Sequence, residues 1–392
     1  QPEGYQEGSE MVCRLIKTLY GLKQSAREWN EVITAYLISQ GFSQVISEPC
    51  LFTRERNGKS IFLVIWVDDI LSTGDDDISS FRQGMQCHFG MDKGSSLSWC
   101  LGLHVKRDPI TKDITMDQEK YVKDKCNEFA KYIKLGGSTN PLPSNYSELL
   151  KEADNPDAPS IENFPYAPML GSLMYAMLCT RPDLSTAVSI LSRYTRNPKK
   201  IHCQLIQHTF RYARDNPYVI QYKHKSQLKL EGYVDAAFAT DQDCKSISGY
   251  VFKLGSGPIS WSTNKQPIVS LSSSEAEYIA VTPAGQECIW LSNILKNLNV
   301  PQGCVTIHED NDAVLKLSRE PKINKRTKHI DVRYHWIREQ IANGIFKLIY
   351  CNTKSQIADM FTKVPPGPQF HKLVKMMGMI KPLKHVFSQG GY

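Results

Sequence analysis

At 392 residues the chain is too long for one ordinary domain and allows two or three compact units. Hydrophobic residues at 41% and aromatics at 10% exclude a mainly disordered or fibrous protein. The 47 Lys and Arg exceed the 40 Asp and Glu by a formal +7, which favours a polyanionic partner without demanding one. The cysteines, 11 in number and without a CxxC, argue against a zinc site or a disulfide framework and read as reduced intracellular thiols. The longest apolar run, Ile61 to Val67, is far short of the roughly 20 residues that span a bilayer, so no membrane partner is expected. The chain opens at Gln1 without Met and runs straight into structured pattern, which suggests a segment of a longer protein.

Trp29, Ile33, Tyr36 and Leu37 share one helical face, and Gly41 stands where a left-handed residue would stop the helix, predicting a helix over about 25 to 40. Two short β-runs follow, Ile61 to Val67 and Ile70 to Ser72, separated only by Asp68 and Asp69 at a hairpin tip. An extended stretch over Leu101 to Arg107 and a helix over Gln118 to Tyr132 complete a first mixed unit. Leu135 to Pro165, rich in Gly, Ser, Asn, Pro and Asp, reads as a linker. Helical patterning returns over Met169 to Arg214. There Arg193, Arg196, Lys199, Lys200, Arg211 and Arg214 interleave with His202, His208, Phe210 and Tyr212, either a nucleic-acid-facing surface or ordinary solvated helix. From Leu228 the order reads βββαβαβα: strands at 228–238, 249–254, 259–263, 304–309 and 345–351, helices at 274–297 and 328–342, and a short last helix from about Ser355. A meander followed by alternation implies a mixed sheet flanked by helices.

Four acids fall where strands end and helices begin in that layout: Asp235, Glu277, Asp310 and Asp359. Two unit charges ~4 Å apart repel by about 4 kcal/mol at an effective dielectric of 20, so four carboxylates brought together need a cation. Mg²⁺ suits them, being hard and oxygen-seeking. Structural roles compete at each position. Ser274-x-x-Glu277 is a capping box in its own right, Asp359 can serve a helix dipole, Asp310 can form a turn with Asn311, and Asp235 can be an edge-strand charge. Spacing leaves those alternatives open.

Arg181-Pro-Asp, Ser248-Gly-Tyr-Val-Phe, Ile259-Ser-Trp, Ser272-Ser-Ser-Glu-Ala-Glu-Tyr-Ile-Ala, Asp310-Asn, Arg326-Thr-Lys-His-Ile-Asp and Ala358-Asp-Met-Phe-Thr-Lys occur in the order seen in the ribonuclease H end of copia-type retrotransposon polyproteins, which the chain resembles. The resemblance implies a ribonuclease H-like fold that cleaves RNA paired to DNA with two Mg²⁺ ions, Mn²⁺ being a substitute. Its metal ligands and catalytic acids would be Asp235, Glu277, Asp310 and Asp359, with Glu277 preferred over Glu275 because Ala276-Glu277-Tyr278-Ile279-Ala280 fits the family pattern. Ala237 stands where many relatives have a second Asp, Asn324 is nearest the place of a common His, and Thr353, Lys354 and Ser355 fill a loop that often carries a mobile His. The helix with Arg326, Lys328, His329, Arg333 and His335 just before it or along it offers a basic face for phosphates, opposite Ile330, Tyr334, Ile337 and Ile341.

Trp66-Val67-Asp68-Asp69 resembles the Y-x-D-D hairpin of reverse transcriptases with Trp in place of Tyr. Lys17-Thr-Leu-Tyr-Gly-Leu-Lys-Gln, Arg27-Glu-Trp, Leu101-Gly-Leu and Gln118-Glu-Lys-Tyr stand where copia-type polymerases have similar runs. The resemblance makes Asp68 and Asp69 metal ligands of a palm whose earlier Asp would precede Gln1, so the chain alone is expected not to polymerise DNA. The expected architecture is α/β: a partial reverse-transcriptase palm over 1–134, a linker over 135–165, a helical connection over 166–226, a ribonuclease H-like mixed five-stranded sheet with flanking helices over 227–365, and a basic tail over 366–392. Expected partners are an RNA/DNA hybrid, a primer-template, and the rest of the Pol polyprotein or a second copy. The expected location is the cytoplasm, in a virus-like particle, or the nucleus. The competing expectation is a non-catalytic nucleic-acid-binding remnant.

Overall fold

A computed structural model describes residues 12, 14–19, 21–153, 155, 158–159, 161, 163–240, 243–319 and 331–382, the side chains of 331–334 excepted. It forms two compact units, Gln1–Ser95 with Asn293–Asn299, and Ser96–Ser292 with Val300–Tyr392.

In the first unit α1 (Ser25–Ser39) leads into an antiparallel sheet of β1 (Ser43–Val45), β2 (Glu48–Arg56), β3 (Lys59–Trp66) and β4 (Asp69–Gly74), followed by α2 (Ile78–Phe89). Strand β3 alternates strictly: Ile61, Leu63 and Ile65 are buried while Val64 and Trp66 are exposed, so one face is dry. Ile33 and Leu37 of α1 and Phe81 and Met85 of α2 cover that face, and this is the unit's core. The helix expected over 25 to 40 and the hairpin around Asp68 are both present.

The second unit contains two further sheets. One is antiparallel, ordered β14-β8-β7-β6-β5, from β5 (Trp99–Cys100), β6 (Leu103–Arg107), β7 (Ile114–Asp117), β8 (Val219–Tyr222) and β14 (Met379–Ile380). Between β7 and β8 come α3 (Glu119–Glu128), α4 (Tyr146–Ala153), α5 (Tyr166–Cys179), α6 (Ser185–Ser192) and α7 (Lys200–Asp215). The other sheet is ordered β11-β10-β9-β12-β13, from β9 (Leu230–Ala237), β10 (Ile247–Leu254), β11 (Gly257–Lys265), β12 (Val305–Glu309) and β13 (Phe346–Tyr350). Strands β9 to β11 meander antiparallel, and β12 runs parallel to both β9 and β13. This is the mixed five-stranded ribonuclease H-like sheet that the resemblance implied. Its helices are α8 (Ser273–Asn297), whose last residues from Asn293 fall to the first unit, then α9 (Asp312–Arg319) and α10 (Asp331–Ala342), with α11 (Gly367–Met377) near the end of the described chain. No helix among the described residues is long and apolar enough to cross a membrane.

Several expectations need correction. The first compact unit ends at Ser95, and β5 to β7 pair onward to β8 within the second. The stretch 135–165 is no free linker: Leu142 is fully buried, Ser138 and Asn216 exchange hydrogen bonds with their surroundings, and α4 packs there. Leu101 and Gly102, expected in a strand, form a turn with positive φ at both. Among the described residues two helices, not one, stand between β12 and β13. The expected last helix is a pair of 3₁₀ turns, Thr353–Ser355 and Ile357–Phe361. The tail read as a basic extension is, over its described part up to residue 382, built into the fold. Phe370, Leu373, Val374 and Met377 of α11 are buried, and Met379 pairs with Ile220. Their i, i+3, i+4, i+7 spacing is an amphipathic stripe, and Pro368 at the helix start is where Pro is tolerated.

Candidate active site

Strands β9 and β12 are in register only from Glu231 opposite Thr306 to Tyr233 opposite His308, and beyond that they part. A crevice at the carboxyl ends of parallel strands is where sheets of this kind place their chemistry. Gln356, fully buried, closes the back of it. Its Nε2 donates to Val234 O at 3.0 Å and lies 3.4 Å from His308 O, while its Oε1 accepts from Ala358 N at 3.2 Å. One side chain thereby fixes the strand carrying Asp235, the strand leading to Asp310 and the turn carrying Asp359.

The turn lies flat on the sheet because Gly249 faces it. Asp235 is opposite Gly249 in register, and a Cβ on Gly249 would come 2.7 Å from Phe361 Cβ and 2.8 Å from Thr362 Cγ2. Thr186 of α6 adds a hydrogen bond to Met360 O at 2.6 Å. The start of α8 removes an ambiguity between two glutamates. Ser272 Oγ accepts from Glu275 N at 3.2 Å, and Glu275 Oε2 accepts from Leu271 N at 3.0 Å, so Glu275 does the capping. Glu277, two residues on, is buried and turned to the cluster.

The four expected acids converge. Asp235, Asp310 and Asp359 each offer a carboxylate oxygen within 4.8 Å of the others, and Asp310 forms a second such group with Glu277 and Glu309. Glu309 was not singled out in the sequence, since strand alternation places neighbours Glu309 and Asp310 on opposite faces. Strand β12 ends at Glu309, however, and the turn in which Glu309 Oε1 accepts from Asn311 N at 3.0 Å breaks the alternation. Thr353 donates to Asp310 Oδ2 at 2.8 Å, Thr362 Oγ1 donates to Asp235 Oδ2, and Lys363 Nζ lies 2.9 Å from Asp359 Oδ1.

Burial pushes the carboxyls of Asp235, Glu277, Glu309 and Asp359 above their usual range, and their mutual repulsion adds to it. Lys363 opposes the rise at Asp235 and Asp359. Glu277 Oε2 and Glu309 Oε2 are buried without a hydrogen-bond partner. An all-oxygen donor set, excess negative charge and unmatched buried oxygens together fit a hard divalent cation such as Mg²⁺.

The other expected site residues are placed differently. Asp68 and Asp69 are exposed at the β3–β4 turn, and among the described residues they belong to no group of three acids, His or Cys within ligand reach. Trp29 Nε1 donates to Val67 O, tying α1 to that turn, and Val67 has φ of 55°, a strained value for a β-branched residue. Arg326, Lys328 and His329 lie outside the described residues, as does the side chain of Arg333, while His335 is exposed. Arg338 on the same helix donates to Leu317 O at 3.1 Å. Of the residues interleaved along α7, His202, Phe210 and Tyr212 are buried in the core, so they do not form a nucleic-acid-facing stripe.

Residues 1–138 match the family described as reverse transcriptase (RNA-dependent DNA polymerase). The chain is 36% identical over 387 residues to the retrovirus-related Pol polyprotein from transposon TNT 1-94 of Nicotiana tabacum, covering 97% of the chain and 29% of that protein. It is 33% identical over 388 residues to the polyprotein from transposon RE2 of Arabidopsis thaliana, covering 97% of the chain and 26% of that protein. A putative transposon Ty5-1 protein of Saccharomyces cerevisiae is 30% identical over 295 residues, covering 73% of the chain and 94% of that protein. The chain thus spans less than a third of the length of the two plant polyproteins. From these matches and the ordered motifs, the chain belongs to the Pol polyprotein family of copia-type retrotransposons, with a reverse-transcriptase match at residues 1–138 and the mixed five-stranded sheet beyond it.

Proposed function

We infer that the second unit is a metal-dependent endonuclease that cleaves RNA in RNA/DNA hybrids, working beside the reverse-transcriptase region of a retrotransposon polyprotein. The observation that carries this reading is the meeting of Asp235, Glu277, Asp310 and Asp359 from four separate chain segments at one end of the β9–β12 crevice. Those residues would hold the Mg²⁺ ions. When bound, such ions supply a water nucleophile at neutral pH and stabilise the leaving oxygen of the phosphodiester.

The protein's own part is to orient. Gln356 and Gly249 hold the acids at fixed spacing, Thr353 holds one oxygen of Asp310, and Lys363 ion-pairs with Asp359, opposing the rise that burial imposes on its carboxyl. A hybrid would be distinguished from duplex DNA by groove shape and by ribose 2′-hydroxyls, with basic side chains on phosphates setting affinity but not sequence. A 5′-labelled RNA strand annealed to DNA and incubated with the chain and Mg²⁺ tests the reading. Internal cuts in the RNA alone are expected, lost with EDTA and reduced at least a hundredfold in Asp235→Asn. Binding of hybrid without cleavage in Mg²⁺ or Mn²⁺ would instead mark a non-catalytic binding segment.

A further inference from the structure

The acid cluster is lopsided. On one side Asp235 accepts from Thr362, and Asp359 is paired with the Lys363 ammonium at 2.9 Å, so a tethered cation already offsets part of the charge on that side. On the other side Glu277, Glu309 and Asp310 bring carboxylate oxygens within 4.8 Å of one another, and no Lys or Arg among the described residues pairs with them.

Glu309 is the unexplained member. It is fully buried at 0% exposure, one oxygen accepts from the Asn311 amide, and the other has no hydrogen-bond partner. Its neighbour Glu277 likewise carries a buried, unmatched oxygen. A turn-former at this position needs only one acceptor, which Gln would supply equally well. A second carboxylate oxygen kept dry and unpaired beside two more acids is the arrangement that a cation would match. Oxygens bound to one Mg²⁺ at about 2.1 Å lie at most ~4.2 Å apart, so a spread within 4.8 Å needs only slight contraction to close on an ion.

We propose that Glu309 is a fifth carboxylate of the metal centre and that, with Glu277 and Asp310, it frames a divalent-cation position on the side away from Lys363. This rests on reading the cluster as the metal centre of a hybrid nuclease. Asp310, shared by both groups, would bridge the two sides. The Lys363 side would then take an ion only by displacing its ammonium from Asp359.

Titration of the full chain with Mn²⁺ alone, followed by calorimetry and by the electron paramagnetic resonance signal of free Mn²⁺, tests this in wild type, Glu309→Gln and Asp359→Asn. Glu309→Gln is expected to weaken the tightest Mn²⁺ site at least tenfold, to leave the thermal midpoint in EDTA unchanged or raised, and to lose the midpoint rise that Mn²⁺ gives the wild type. Asp359→Asn is expected to change that site's affinity less than threefold. Should Glu309→Gln fail to fold, Glu309→Asp, which retracts the carboxylate by one methylene, is expected to bind intermediately. Wild-type affinity in Glu309→Gln, or in Glu309→Asp if that is the variant that folds, overturns the proposal, as does absence of Mn²⁺ binding by the wild type. The hybrid-cleavage assay separates the two ideas. Cleavage unaffected by Glu309→Gln with unchanged Mn²⁺ affinity sinks the fifth ligand alone, whereas tight Glu309-dependent Mn²⁺ binding without cleavage sinks the nuclease reading alone.

Discussion

Gly249 is a single hydrogen where any larger side chain would strike the turn that delivers Asp359. A Cβ there meets Phe361 backbone carbon at 2.9 Å as well as its Cβ, and backbone cannot swing aside as a flexible side chain can. Gly249→Ala should therefore cost about 1–3 kcal/mol by overpacking and lower hybrid cleavage as the turn lifts. Gly303→Ala, with nothing within 4 Å of its Cβ, should stay within about 0.5 kcal/mol. Urea unfolding of both variants checks the contrast, and equal effects would remove the packing account. Residue chemistry was legible in the sequence where residue types are scarce: Asp235, Glu277, Asp310 and Asp359 stood out as acids at element ends. Glu309 and Gln356 were not legible. The role of the first depends on how a strand ends, and that of the second on two strands parting, neither of which a spacing rule contains.

At the scale of elements, the periodic pieces were the readable ones. Strands β9 and β10 and helix α8 fall close to where alternation and helical spacing placed them. Short or punctuated pieces were lost: β8 has only four residues, and α11 hides behind Pro365-Pro366-Gly367-Pro368 among lysines that mimic a linker. Arg181-Pro-Asp183, a motif without an assigned role, turns out to be structural. The guanidinium grips Asp183 through Nε at 2.9 Å and Nη2 at 2.7 Å, and Tyr212 donates to the same carboxylate at 2.7 Å. Because α11 packs into that helical core, Leu373→Ala is expected to destabilise the protein by about 2–5 kcal/mol. A loosely attached extension would show almost no change in urea midpoint.

Across the whole molecule, stability should depend on pH through the half-buried His208. Burial lowers the pKa of His208, whose Nε2 lies 3.0 Å from Asn140 O and 2.7 Å from Ser138 Oγ. A lowered folded-state pKa means that the unfolded chain binds more protons, so this group's contribution is complete above its ordinary value near ~6.5 and is lost as pH falls through the lowered one. Between pH values of about 7.5 and 5.5 the thermal midpoint of the wild type should drop by more than that of His208→Gln, by roughly 2 °C. Equal drops would place the acid sensitivity elsewhere. The central claim, that distant acids converge to hold divalent cations, is tested most directly by anomalous scattering from crystals of the chain soaked in Mn²⁺. The expected result is ion density in contact with Asp310 and shared with Asp235, Glu277 or Asp359. Density only at other sites, with these carboxylates unliganded, would contradict it.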